Sequence, residues 1–210
     1  MSLAGTPRSL SFDDPQVIET AVSILDEGGC IVVPTDTVYG LAVPASDPTA
    51  IALLQQIKGR TDTFPPPVLV ADMEQVWALV DPVSESIRAL GERFWPGPLT
   101  LILPTKSTLS LAETTGTLGL RVPDHDGLRG LLRHTGPLAV SSANKHTCDP
   151  ATTVEEAISQ LGTKVNLYID AGPTPGPAPS TVVDVTDGIR VLRVGLISEE
   201  KIAETGGIDV

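Results

Sequence analysis

The stretch Cys30-Ile31-Val32-Val33-Pro34-Thr35-Asp36-Thr37-Val38-Tyr39-Gly40-Leu41 decides the fold. Its first four residues are apolar and mostly β-branched, and Pro34 stops them, the form of a strand buried on both faces. Two hydroxyls, a carboxylate and a phenol follow at once. Open α/β sheets bind ligands beyond the carboxyl ends of their strands, so the same segment is a candidate site. A Thr/Asp turn that satisfies only its own backbone is the alternative at this point.

On either side the pattern turns helical. Asp14-Pro15 followed by Val17, Ile18, Ala21, Val22 and Leu25 has a cap, a proline at the first helical position and helical apolar spacing, ending at Gly28-Gly29. Asp47-Pro48 opens a second such run through Ile51, Leu53, Leu54 and Ile57, ending near Lys58-Gly59. Further strands are expected at 68–70, 99–103, 118–122, 138–141, 167–170, 181–185 and 190–193, the last two joined by the turn Thr186-Asp187-Gly188. Helices are expected at 73–80, 84–90, 128–132 and 154–161; Thr153 and Glu156 form a capping box for the last. Interleaved strands and helices predict an α/β protein, an open sheet covered by helices and mixed rather than parallel because of its closing hairpin. We read residues 1–210 as one domain. The Gly/Pro-rich segment 171–179 is expected to be a lid within it rather than a linker.

Composition narrows the function. The chain is 41% hydrophobic and 19% charged, ordinary for a globular protein. At this length it can bury roughly 70% of its unfolded surface, enough for a core without disulfides. Cys30 and Cys148 have no C-x-x-C spacing, in keeping with a reducing cytoplasm. No apolar run reaches the ~20 residues that span a bilayer, so no membrane is expected. Lys and Arg number 14 against 26 Asp and Glu, a net −12 that repels nucleic acid as a whole and requires any anionic ligand to be held locally. His125, His134 and His146 show no ligand spacing, and no metal site is expected. Phosphate-loop, dinucleotide, nucleophile-elbow and H-E-x-x-H signatures are absent.

Polar residues do recur at expected strand and helix ends. Lys58-Gly59-Arg60 pairs an ammonium with a guanidinium able to grip phosphate or carboxylate oxygens, or else complements its helix dipole. Ser141-Ser142-Ala143-Asn144 offers neutral donors. Arg121 lies in an apolar strand, where an unpartnered charge would be costly. Ser180-Thr181 opens one strand and Arg193 ends another.

These blocks, with Phe94-Trp95-Pro96-Gly97-Pro98-Leu99-Thr100, Leu120-Arg121-Val122-Pro123 and Ser180-Thr181-Val182-Val183-Asp184, resemble the YrdC-like threonylcarbamoyl-adenylate synthases over about residues 15 to 198. The resemblance implies a twisted sheet around a concave, locally positive cavity. It also implies a reaction joining L-threonine, bicarbonate and ATP into threonylcarbamoyl-AMP with release of pyrophosphate, Mg²⁺ accompanying ATP and no organic cofactor being needed. The product would feed a downstream tRNA-modifying transferase complex that makes N6-threonylcarbamoyladenosine, with at most a weak RNA contact here. The chain looks like the short form, without an extra C-terminal domain. Carried over by position, Lys58 and Arg60 are catalytic. With Thr117, Ser142, Asn144, His146 and Arg193 they bind ATP and its phosphates; Thr35, Arg121, Ser141 and Ser180 bind threonine.

The chain departs from the family pattern in three places. His146-Thr147 stand where many members have Ser-Gly, Thr61 stands where many have Pro, and a common histidine is replaced near Val70 or Ala71. These departures concern the ATP loop. They leave as alternatives a YciO-like non-catalytic paralogue that binds RNA or nucleotide, and a carbamoyl-transferring relative.

Overall fold

A computed structural model describes residues 6–59, 65–105, 109, 111, 115–145, 148–176 and 178–207. The strands are β1 (Ser9–Ser11), β2 (Ile31–Val33), β3 (Gly40–Pro44), β4 (Val68–Leu69), β5 (Leu99–Pro104), β6 (Thr117–Arg121), β7 (Leu138–Ser142), β8 (Leu167–Asp170), β9 (Thr181–Asp184) and β10 (Arg190–Arg193). They form one sheet in the order β1-β8-β2-β3-β7-β4-β6-β5-β9-β10. Four pairs are parallel (β1/β8, β2/β8, β4/β6, β5/β9) and the other five antiparallel, so the sheet is mixed.

The helices are α1 (Val17–Asp26), α2 (Pro48–Lys58), α3 (Met73–Leu79), α4 (Glu85–Phe94), α5 (Asp126–Thr135), α6 (Val154–Leu161) and α7 (Glu199–Gly206). Most start on a side chain that accepts an otherwise orphaned backbone N–H: Asp47 for α2, Asp72 for α3, Ser84 for α4, Thr153 for α6 and Ser198 for α7. Helix α1 is the exception. It begins at Val17 instead of Pro15, because Asp14 Oδ1 accepts from Gln16 N at 2.8 Å and closes a turn ahead of the helix. Strands β1 and β3 and helix α7 were not expected from the sequence.

Residues opposite one another across the strands define two faces. One carries Val32, Leu41, Val43, Ala139, Val68, Leu120, Leu101 and Val183, and packs against α2, α3, α4, α6 and α7. The other carries Ile31, Val33, Ala42, Leu69, Leu138, Val140, Leu167 and Ile169 under α1 and α5. That second cover stops at β4. On β6, β5, β9 and β10 the same face presents Thr117, Gly119, Arg121, Ile102, Val182, Asp184 and Arg193, and no helix among the described residues packs there. Among the described residues, that half-face of the sheet is left open to a ligand.

Candidate active site

The β2–β3 loop is a turn built on Thr35. Its Oγ1 donates to Val38 O at 2.7 Å, accepts from Thr37 N and Val38 N at 3.0 and 3.2 Å, and lies 2.9 Å from Thr37 Oγ1. The hydroxyl is 5% exposed as part of its residue and is occupied in shaping the loop. Gly40 then lets β3 start tight against β7: a Cβ there would lie 2.5 Å from Val140 Cγ1.

This loop reaches Arg121 at the end of β6, although β7 and β4 lie between β3 and β6 in the sheet. Arg121 Nη2 donates to Asp36 Oδ1 at 2.5 Å, both terminal nitrogens reach Thr37 Oγ1 (3.3 and 3.4 Å), and Nε donates to Gly97 O at 3.1 Å. The pair is buried, with 7% of the Arg121 side chain and 10% of the Asp36 side chain exposed. Burial lowers the Arg121 pKa and the Asp36 charge opposes that shift. Asp36 Oδ2, also buried, has no hydrogen-bond partner.

Arg193 lies on the uncovered half-face with Arg121. Its Nε and Nη2 donate to Ser180 O (3.2 and 2.9 Å), Nη2 also reaches Ser180 Oγ at 3.2 Å, and Ser180 Oγ is 3.0 Å from Thr100 Oγ1. Burial lowers the Arg193 pKa first and the Arg121 charge lowers it further. Two guanidiniums in one field attract an anion between them. Thr117, on the same face, bonds Thr115 Oγ1 through its own hydroxyl at 3.0 Å.

Lys58 ends α2, where Gly59 adopts φ 66 and breaks the helix. Only 4% exposed, its Nζ donates to Ser142 O and Asn144 O at 2.6 Å and to Asn144 Oδ1 at 2.8 Å, with Ser142 Oγ at 3.3 Å. Asn144 Nδ2 continues the chain of bonds to Cys148 O at 2.6 Å. The lysine thus holds the Ser142–Asn144 segment in shape, a role the motif alone did not disclose. Ser141 faces Leu41 and so points to the opposite side of the sheet from Ser142. Arg60 and His146 lie outside the described residues.

A cleft of about 360 Å³ borders this cluster, with Thr35, Asp36, Gly97, His125 and the segment Ala171 to Pro175 on its walls. That segment is fastened down. Tyr39 Oη donates to Gly172 O at 2.7 Å, Thr174 N to Thr152 O at 2.9 Å and Gly176 N to Thr37 O at 3.1 Å. His125 caps α5, its Nδ1 accepting from Leu128 N at 3.1 Å, and burial lowers its pKa. Sequence reasoning placed Asp36 and Thr37 in a candidate segment without giving either a role, and it missed Thr100 as a site residue. All three lie inside motif blocks already quoted, but their roles come from pairings across the sheet.

A mixed α/β sheet with helices over one face and half of the other, and with the buried Arg121 and the exposed Arg193 on its open half, defines a class, α/β proteins with a cleft beside an uncovered sheet face. The particular family follows from comparison: the Sua5/YciO/YrdC model, described as "Telomere recombination", matches residues 23–195, and the chain belongs to that family. It is 39% identical over 198 residues to the threonylcarbamoyl-AMP synthase of Bacillus subtilis, covering 92% of this chain and 57% of that one. A Mycobacterium tuberculosis relative, provisionally named for the same activity, is 43% identical over 195 residues, covering 91% of this chain and 90% of its own. The crystal structure of Pyrococcus abyssi Sua5 complexed with L-threonine superposes with a TM-score of 0.86 at 31% identity. The match covers 96% of this chain and 61% of that one, so the chain spans about three fifths of that relative.

Proposed function

We propose that the chain is a threonylcarbamoyl-AMP synthase, a nucleotidyltransferase that condenses L-threonine, bicarbonate and ATP and releases pyrophosphate. The buried Arg121 and the exposed Arg193, brought together on the uncovered half-face of a chain with −12 net charge, carry the reading. Deprotonated threonine nitrogen attacks the bicarbonate carbon with loss of water to form a carbamate, whose oxygen attacks the α-phosphorus of ATP in line and displaces pyrophosphate. Both reactants are anions, so fixed cations and neutral donors offset their repulsion. Arg121 and Ser180 lie on the threonine side and Arg193 and Thr117 on the ATP side. Lys58 keeps Ser142 and Asn144 in place for the phosphates, and Arg60 and His146 are assigned to the phosphates by the sequence resemblance alone. Thr35 shapes the threonine side through its turn.

Among the described residues no group of three His, Cys, Asp or Glu could hold a metal ion. Mg²⁺ is proposed only as the companion of the ATP phosphates. The product passes to a tRNA-modifying transferase complex in the cytoplasm, any RNA contact being local and weak. No helix among the described residues is long and apolar enough to cross a membrane.

Incubation with ATP, labelled bicarbonate and L-threonine should yield pyrophosphate and a labelled adenylate. Nucleotide binding without turnover would favour the YciO-like reading instead.

A further inference from the structure

The buried oxygen Asp36 Oδ2 is a feature the reaction scheme leaves unused. Oδ1 is taken by Arg121 at 2.5 Å, while Oδ2 has no partner. An ionised carboxylate oxygen out of water without a donor is expensive, more so than a neutral carbonyl. Such an atom calls for a donor that arrives with a ligand, and a cationic donor satisfies it best. Asp36 also forms part of the wall of the 360 Å³ cleft, beside Thr35 and Gly97.

We propose that Asp36 Oδ2 receives the α-ammonium group of the amino-acid substrate, making the Asp36–Arg121 pair a reader of zwitterions. The inference rests on the synthase reading and adds a specificity-determining residue to it. The pair sets a negative and a positive charge side by side, with Arg193 adding a second positive charge to the field of Arg121. A zwitterionic amino acid has the complementary arrangement, its ammonium two bonds from its carboxylate. The ammonium goes to Asp36 and the carboxylate to the side of the arginines. Oδ2 exposes less than 1 Å². Docking therefore requires the Asp36 carboxylate to turn towards the cleft, pivoting on the Oδ1 bond that Arg121 already holds.

The test is Asp36→Asn, close to isosteric. Its amide oxygen keeps the bond to Arg121, and its NH₂ puts a donor where Oδ2 offered an acceptor. Pyrophosphate release by the wild type with L-threonine is measured first, and its absence overturns the synthase reading separately. In D36N the Michaelis constant for L-threonine should rise about 30-fold, the scale of a lost hydrogen bond to a charged group, while that for ATP stays within about twofold. (3R)-3-Hydroxybutyrate keeps the carboxylate, hydroxyl and methyl but lacks the ammonium. It should inhibit the wild type at least about 30-fold more weakly than L-threonine binds, and should inhibit D36N no worse than the wild type. Equal loss of threonine and analogue in D36N would mean that Asp36 acts only through Arg121, overturning the proposal. So would unchanged threonine kinetics, which would leave Oδ2 to a buried water. If D36N does not fold, the wild-type arm still decides: an analogue that binds as well as L-threonine overturns the assignment.

Discussion

Arg193 reaches from the end of β10 to the residue just before β9, donating to the backbone oxygen of Ser180 through Nε at 3.2 Å and Nη2 at 2.9 Å. A strand-end cation of the sheet edge is thereby fixed against the residue that opens the neighbouring strand. The ordinary fate of such an arginine is a mobile, hydrated side chain. Here it is oriented before any ligand arrives, and pre-orientation lowers the entropic cost of gripping one.

Arg193→Ala should therefore raise the Michaelis constant for ATP by about tenfold or more, with little change in melting temperature, because the bonds lost are all to one residue, Ser180, from an exposed side chain. Arg193→Lys should recover little, since an ammonium cannot reproduce the two-nitrogen contact. Steady-state kinetics beside a thermal melt separate these outcomes; a large fall in melting temperature with unchanged kinetics would make Arg193 structural.

Lys58→Met removes the ammonium but keeps the length of the side chain. The oxygens of Ser142 and Asn144 lose a charged donor, and we expect a loss of about 2 kcal/mol in urea unfolding, together with faster amide exchange over residues 142–145. Unchanged exchange would show that the segment holds itself.

His125 provides a pH test whose sign is fixed by burial. Its folded pKa lies below the ordinary 6.5, so as pH falls through that value the unfolded chain takes up a proton before the folded one does. Stability is full above 6.5 and declines below it, and protonation would also remove the Nδ1 acceptor that caps Leu128 N. His125→Asn keeps a capping side chain without the titration. Urea midpoints from pH 7.5 to 5 should fall less in the variant; identical slopes would assign the decline to other groups.

Gly195→Ala tests the backbone around the Ser180 side of the site. A Cβ there would lie 2.1 Å from Pro179 O and 2.6 Å from Ser180 C, and main-chain atoms cannot rotate aside. A destabilisation of about 1–3 kcal/mol is expected in denaturant unfolding. A neutral result would mean that the 179–181 segment has room to shift.

Elements with strong local signals were legible in the sequence. Asp47-Pro48 and Thr153 with Glu156 mark helix starts by side-chain chemistry, and the structure has α2 and α6 there. Strand β1 gave no such signal: Ser9–Ser11 is too short for periodicity and is a strand only because β8 pairs with it. Strand β3 was hidden because Gly40–Pro44 follows polar residues that read as loop, and one of its two partners, β7, comes from a distant part of the chain. The site divides in the same way. Motifs located Arg121, Ser180, Arg193 and Lys58, but which atom each holds depends on the sheet order. Lys58 meets Ser142 across 84 positions, and Arg121 meets Asp36 across 85.

The helix cover that stops at β4 leaves the described residues one layer short over four of the strands. A bound nucleotide and amino acid would supply that layer, so occupancy and folding become linked equilibria. At a ligand concentration about 100 times its dissociation constant the gain is about 2.7 kcal/mol, a sizeable fraction of a typical domain's total stability. In a cell, a fall in substrate supply would then reach the protein as a shorter lifetime as well as a lower rate.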